Sequence, residues 1–145
     1  MMRKDLTWKD VKKEVYTNYK PIEELCRRLR VKIEFKEGFF CTEQLMKQIQ
    51  KFLDKITVEP EDLLLVDVET TKAVRQQLRL FTDSANDLEL EERTVLFYLL
   101  VAKESEADIA KNRLANQPSM SSVNRMKRSV FMKLLENVQY NRIMV

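Results

Sequence analysis

Histidine is absent from the chain, and glycine occurs once, at Gly38. Histidine is the commonest general base and the commonest protein metal ligand, so its absence disfavours most acid–base enzymes and metal sites. Loops that bind nucleotide phosphates need several glycines in close register, so P-loop and dinucleotide-binding motifs are excluded. Three prolines and one glycine are also too few for the turns of a β sandwich. The shortages predict an all-α protein, with no sign of a cofactor or a metal site.

Cysteine and long apolar segments are also scarce. Cys26 and Cys41 are too few for a structural zinc site, which takes four ligands from cysteine and histidine. Their spacing permits a disulfide, but free thiols are the favoured interpretation because no secretory signal precedes them. No apolar run approaches the roughly 18 residues of a membrane span, and the first residues lack the apolar segment of a signal peptide. We therefore expect a cytoplasmic protein with no membrane contact.

The chain has 145 residues, of which 44% are hydrophobic, enough for one ordinary domain or two small helical units sharing a core. Its composition changes near residues 83–87, from mixed helical segments to an acidic block followed by a basic one. We predict a helical N-terminal part over residues 1–83 and a distinct C-terminal part over residues 87–145.

The N-terminal part is predicted to hold four helices. The first begins after Thr7, which with Asp10 approximates a capping box, and Pro21 is expected to end it and to begin a second helix through Leu29. The third runs from Thr42 to about Ile56 and the fourth from Pro60 to Phe81, followed by a loop at residues 84–87. Residues 31–35 alternate in polarity, which indicates a short strand without an evident partner or an extended connection, and residues 36–40 are predicted to form a turn around Gly38.

The C-terminal part begins with a helix from Glu89 to Val101. Residues 95–102 are uncharged and mostly apolar, which predicts a segment buried on several sides. A short helix from Glu106 to Leu114 and a turn over residues 115–119 follow, and Pro118 prevents a continuous helix. Ser121 or Ser122 is expected to cap the last helix. Its apolar residues recur every three or four positions: Val123, Met126, Val130, Leu134 and Val138.

Charge is strongly segregated in this part of the chain. Residues 87–108 hold seven acids against Arg93 and Lys103, whereas residues 110–134 hold six cations and no acid, although the whole chain carries only +3. A block of positive charge on a helix–turn–helix pattern is typical of a module that binds nucleic-acid phosphates. The sequence therefore predicts a protein that binds double-stranded DNA.

The apolar stripe of the last helix determines which side chains face outward near its start. The candidate base contacts are Ser121, Ser122, Asn124, Arg125 and Arg128, since the N-terminal part of the second helix of such a motif enters the major groove. Arginine there can pair with guanine and asparagine with adenine. The candidate phosphate contacts are Lys111, Arg113, Lys127 and Lys133.

Three short segments of the C-terminal part form a recognisable series: Leu88 with Glu91–Arg93, then Ala107–Ala110, then Val123–Val130 with Leu134 and Leu135. This series resembles the promoter-reading region of sigma factors, and still more the sigma-like phage late-gene activators of the RinA and ArpU type. The resemblance covers roughly the last 55 residues, and the interval from Ala110 to Val123 is longer than in the family and lacks its glycine. The resemblance implies that the protein is a phage-type transcriptional regulator whose C-terminal helix–turn–helix reads a promoter. RNA polymerase is a further candidate partner.

Other interpretations remain open at this stage. The basic last helix also suits a helical adaptor that docks on an acidic partner protein. Residues 21–29 and 42–56 are an alternative helix–turn–helix with a basic cluster between them. An enzyme has the least support because no histidine or paired catalytic group is present. The oligomeric state is open, since the heptads of the Pro60–Phe81 helix are too irregular to establish a dimer.

Overall fold

The computed structural model describes residues 6–58 and 65–144. Within these ranges the chain forms six helices and one two-stranded hairpin, which confirms the all-α prediction. The helices are α1 (Trp8–Leu29), α2 (Glu43–Val58), α3 (Leu65–Asn86), α4 (Leu90–Leu96), α5 (Glu106–Asn112) and α6 (Met120–Met144). The strands β1 (Glu34–Lys36) and β2 (Phe39–Cys41) lie between α1 and α2, and a π-helical turn, the π turn (Phe97–Val101), continues α4.

The first helix is continuous through Pro21, so the predicted break there is wrong. The buried stripe of α1 continues across the proline, from Tyr19 to Ile22 and Leu25, so the helix can bury one uninterrupted apolar face. Proline removes one backbone hydrogen bond from a helix interior. In the turn before Pro21, the Gln77 side chain of α3 donates a hydrogen bond to the Asn18 carbonyl oxygen at 2.5 Å. Packing of α1 as a whole therefore outweighs the local preference of proline.

Residues 31–41 contain a β-hairpin: the predicted turn around Gly38 is present, but it is shorter than the predicted residues 36–40. The partner strand of β1 is β2, the segment assigned to the turn, and it pairs in antiparallel register with Phe35 opposite Phe40. The turn itself is only Glu37–Gly38, and both residues have positive φ, 54° and 82°, as type I′ turns require. A Cβ atom at Gly38 would lie 2.5 Å from Leu90 Cδ1 of α4. Glycine is favoured here by its conformation, whereas Leu90 is 57% exposed and its side chain can move away from an added Cβ.

The alternative helix–turn–helix over residues 21–56 is also wrong. Its first predicted helix is the end of the long α1, and the hairpin separates α1 from α2. The arrangement therefore has no short turn that sets two helices at a fixed angle.

The third helix extends to Asn86, beyond the predicted end at Phe81. Its predicted start at Pro60 lies outside the described residues. Ser84 and Ala85 are fully buried, and the Asn137 side chain of α6 donates a hydrogen bond to the Ser84 carbonyl oxygen at 3.1 Å. The segment predicted as a loop is therefore helical because it packs against the last helix.

The apolar segment over residues 95–102, which spans the end of α4 and the π turn, is buried in part. Val95, Leu96 and Leu100 are at most 1% exposed, whereas Tyr98, Leu99 and Val101 are half-buried and Ala102 is exposed. The main core cluster extends from Val11 to Val138, so residues of the N-terminal and C-terminal parts share it. A smaller cluster joins α4, α5 and α6 through Val95, Ile109, Ala110, Leu114 and Val123. Among the described residues, no helix combines the length and the apolar character needed to cross a membrane.

Candidate nucleic-acid interface

The last two helices are joined by a turn over residues 113–119. Ser105 caps α5 by accepting a hydrogen bond from the Asp108 backbone N–H at 3.1 Å. At the start of α6, the Ser119 hydroxyl accepts from the Ser122 backbone N–H at 3.1 Å, and the Ser119 carbonyl accepts from Val123 N–H at the same distance. Ser119 therefore begins the helix, and the prediction that Ser121 or Ser122 is the cap is wrong. The hydroxyl and the carbonyl of Ser119 begin the hydrogen-bond ladder two residues before Ser121.

The turn is held from inside by Leu114, which is 8% exposed and belongs to the smaller apolar cluster. Gln117 adopts a left-handed conformation, with φ of 43°, and its N–H donates to the Leu114 carbonyl at 3.2 Å. The turn thus reverses the chain without a glycine. Val123 and Ile109 are fully buried, so the N-terminal half of α6 has an inward face fixed against α5.

Three of the five candidate base contacts lie exposed on one outward face of α6. They are Ser121, Arg125 and Arg128, spaced by four and three residues, which places them side by side on a helix. The Arg125 guanidinium lies 3.3 Å from the Ser122 hydroxyl. The Arg128 guanidinium lies 5.3 Å from the centre of the Trp8 ring. Neither arginine forms an ion pair with a carboxylate in the described part of the chain.

The other two candidate base contacts are engaged within the protein. The Asn124 amide nitrogen lies 3.2 Å from both carboxylate oxygens of Glu106 at the start of α5. The Ser122 hydroxyl accepts a hydrogen bond from the Ser119 hydroxyl at 3.0 Å. Both side chains are half-buried, so they brace the start of α6 against its cap and α5.

Three of the four candidate phosphate contacts pair with the protein's own carboxylates. Arg113 donates two hydrogen bonds to Glu104, at 3.0 and 2.5 Å. Lys133 contacts Glu92 at 2.5 Å. Lys127 lies 3.5 Å from Glu106 with only 16% of its side chain exposed. Lys111 is exposed, and no described carboxylate lies within ion-pair distance of it.

Two of these pairs shift the pKa of a member. The hydrogen bond from Arg113 is the main cause that lowers the pKa of the Glu104 carboxyl. The hydrogen bond to Glu92 is the main cause that raises the pKa of Lys133. Glu104 therefore stays ionised at neutral pH and offsets part of the positive charge that the sequence assigned to this surface.

The first helix adds cations that the sequence pattern did not assign to the interface. Trp8 packs against Phe131 of α6 with ring centres 5.6 Å apart, which brings the start of α1 beside the first half of α6. Lys12 lies 5.9 Å from the centre of the same Trp8 ring. Lys9 and Lys13 are exposed in the same two turns of α1. The lysines that follow Trp8 in the sequence could have indicated a basic surface on α1. Only the contact between Trp8 and Phe131 shows that this part of α1 lies beside α6.

We define the basic face by its five exposed cations: Lys9, Lys12, Lys13, Arg125 and Arg128. No carboxylate of the described residues lies within ion-pair distance of any of them. Asp10 and Glu14 are exposed in the same turns of α1, so five cations and two acids leave this face a net charge of +3. A face with excess positive charge attracts a polyanion.

Among the described residues, no group of three or more Cys, Asp or Glu side chains is placed so that it could hold a metal ion. Cys26 and Cys41 are free and half-buried. Comparison of the chain with protein-family models, curated proteins and solved structures produced no match.

Proposed function

We propose that the protein is a sequence-specific double-stranded DNA-binding regulator of transcription, which reads a promoter through the first half of α6. The observation that carries the proposal is the exposure of Arg125 and Arg128 on one face of α6, without carboxylate partners in the described part. The resemblance to sigma-like phage activators makes promoter DNA the expected target and RNA polymerase the expected protein partner. The proposed site of action is the cytoplasm.

In this arrangement, Arg125 and Arg128 would contact base edges in the major groove. Residues near the N-terminus of a recognition helix reach the bases, and each arginine that pairs with guanine through two hydrogen bonds contributes about 1–3 kcal/mol of discrimination. Ser121, exposed one turn before Arg125, is placed to contact a base or the adjacent phosphate.

The lysines of α1 and Lys111 would contact phosphates on either side of the groove. They are exposed and have no ion-pair partner among the described residues. Binding to DNA would therefore break no ion pair between these lysines and the described carboxylates. Asn124 takes a different role in the proposal, because its amide is committed to Glu106 at 3.2 Å. It holds α6 in position against α5 and leaves base recognition to the two arginines.

The salt dependence of binding tests the electrostatic part of the proposal. If about four phosphates are neutralised, log affinity should fall with log salt at a slope of about −4. Fluorescence anisotropy with a labelled duplex, titrated at several salt concentrations, measures this slope. A slope near zero would show that the basic face does not contact a nucleic acid.

Single substitutions test the assignment of roles. Arg125→Ala should reduce the preference for the cognate duplex over a scrambled one by about 1–3 kcal/mol, whereas Lys13→Ala should weaken both duplexes equally and lower the salt slope by about one. Lys51→Ala, an exposed lysine of α2, is the matched control and should change neither quantity. The cognate duplex is obtained beforehand by selection from a random library. Failure of selection to enrich any sequence would count against sequence-specific reading.

The internal ion pairs support a second candidate, a helical adaptor that docks on an acidic protein. Arg113, Lys127 and Lys133 are already paired with carboxylates, which lowers the charge available for phosphates. An adaptor would bind all duplexes weakly and equally, and Arg125→Ala would then affect every duplex as Lys13→Ala does.

A further inference from the structure

A cavity lies on the opposite half of α1 from the basic face. It is bounded by the C-terminal part of α1, by residues 30–33 that follow it, and by the end of the π turn. Its volume is about 670 Å³, within the range of pockets that hold small ligands. None of the basic-face residues lines it.

The floor of the cavity is apolar. Ile33 is 2% exposed and Phe97 is 9% exposed, and Val101 continues the same wall. Phe97 stacks on Phe35 of the hairpin with ring centres 4.9 Å apart. Such a floor favours the apolar body of a ligand through removal of its surface from water.

The rim of the cavity is strongly basic. Arg27, Arg30, Lys32 and Lys103 line it together with one carboxylate, Glu23, a net charge of +3 from four cations and one anion. Glu23 bridges the two sides, because its oxygens lie 2.6 Å from Lys103 Nζ and 3.6 Å from the Arg27 guanidinium.

Arg30 and Lys32 have no ion-pair partner among the described residues. The carbonyl oxygens at the end of α1 are occupied by backbone donors: Arg30 N–H bonds to Arg27 O at 3.3 Å and Val31 N–H bonds to Cys26 O at 3.1 Å. The negative end of the helix is thereby capped, and the two free cations dominate the local charge.

Tyr19 also lines the cavity. The residue is 5% exposed, and its ring packs on Phe81 with centres 5.4 Å apart. Burial raises the pKa of Tyr19, so its hydroxyl stays protonated and can donate a hydrogen bond to a ligand in the cavity.

Two residues that line the cavity adopt the left-handed conformation. Arg30 and Lys103 both have φ of 57°, and at Arg30 this is the common left-handed cap of a helix end. The π turn ends two residues before Lys103, and its residues Phe97 and Val101 line the cavity. π-helical turns are frequent at functional sites.

We infer that this cavity binds a small anionic molecule with an apolar body, a medium-chain carboxylate or an alkyl phosphate. The anionic head would lie among Arg30, Lys32 and Lys103, and the apolar body on Phe97 and Ile33. The Tyr19 hydroxyl donates to the head or to a polar atom of the body. The inference is independent of DNA binding, because the two sites share no residue.

Isothermal titration of the full chain with four probes tests the inference. Octanoate and octyl phosphate should bind saturably at one site per chain. Octanol, which lacks the charge, and inorganic phosphate, which lacks the apolar body, should each bind at least about tenfold more weakly, because each loses one of the two contributions. The stronger of the two octyl anions identifies the head group. Equal binding of octanol and octanoate, or no saturable heat with either anion at millimolar concentration, overturns the inference.

Variants locate the bound anion. Lys32→Gln, on an exposed side chain, and Arg30→Asn, which suits the left-handed backbone, should together weaken octanoate at least about tenfold. Tyr19→Phe keeps the ring and should weaken it severalfold. Lys51→Gln on α2 is the control and should bind as the parent does. If circular dichroism shows that the double variant is misfolded, Lys32→Gln alone decides. Unchanged affinity in a folded Lys32→Gln variant places the anion elsewhere and refutes the site.

Discussion

Replacement of Asn86 by alanine should destabilise the protein by removing the contact that anchors the hairpin to α3. The Asn86 side chain forms two hydrogen bonds with one residue of β2: its oxygen accepts from the Phe40 N–H at 2.8 Å and its nitrogen donates to the Phe40 carbonyl at 3.1 Å. In a hairpin whose two-residue turn joins Lys36 to Phe39, the next pair, Phe35 and Phe40, is not hydrogen-bonded across the strands. The polar backbone groups of Phe40 therefore face away from β1, and the Asn86 amide serves as the missing third strand.

The expected loss follows from these two bonds. Each contributes about 0.5–1.5 kcal/mol net, and the N–H and carbonyl left without partners add a desolvation penalty, because Phe40 is 3% exposed. We expect Asn86→Ala to lower the free energy of unfolding by about 2–3 kcal/mol. For a chain of this length the melting temperature should fall by about 4–12 °C.

Urea denaturation followed by circular dichroism measures the change. Asn86→Asp keeps the acceptor for Phe40 N–H but places a carboxylate against the Phe40 carbonyl, so it should be destabilising too. Gln76→Ala, an exposed amide on the same helix, should stay within about 0.5 kcal/mol of the parent. A loss below about 0.5 kcal/mol for Asn86→Ala, with an unchanged denaturant slope, would refute the role assigned to the amide.

The remaining predictions concern the α5–α6 interface and the core. Glu106→Gln should strengthen DNA binding about fivefold at 0.15 M salt, because Lys127 loses its carboxylate partner and one more phosphate contact becomes possible; anisotropy titration measures this. Arg113 lowers the pKa of Glu104 from its usual value of 4.5. The stabilisation from this pair is therefore present above pH 4.5 and is lost as the pH falls through the lower pKa of the folded state. Denaturation of the parent and of Glu104→Gln at several pH values should show that the difference between their free energies of unfolding becomes smaller in acid. Phe131→Ala should cost about 3–5 kcal/mol of stability, measured by urea denaturation, since Phe131 is fully buried.

Each of these outcomes has a control or a contradicting result. Lys127→Gln combined with Glu106→Gln should cancel the gain in DNA affinity, and a gain that persists would show that Lys127 is not its source. A stability difference between the parent and Glu104→Gln that is constant from neutral to acid pH would contradict the lowered pKa. Tyr140→Ala, at a side chain that is 62% exposed, should change stability by less than about 0.5 kcal/mol, in contrast to Phe131→Ala.

The sequence by itself determined the fold class and much of the last helix. Absent histidine, scarce glycine and apolar spacing of three and four residues are local properties, and they were sufficient to predict an all-α chain. Val123, Val130, Leu134 and Val138 of the apolar stripe are buried and Met126 is half-buried, because the helical period alone decides which residues share a face. The same period placed Arg125 and Arg128 outward. The DNA-contact roles of these residues remain predictions.

Only the tertiary structure decided the features that depend on contacts between distant segments. Pro21 lies within a helix because α1 packs along its whole length, and β2 exists because Asn86 supplies its outer hydrogen bonds. Glu106 occupies Asn124 and Lys127 across the turn between α5 and α6, and Trp8 brings the lysines of α1 beside α6. Charge counted along the chain cannot show this, because neutralisation depends on which groups folding places within a few ångströms of one another.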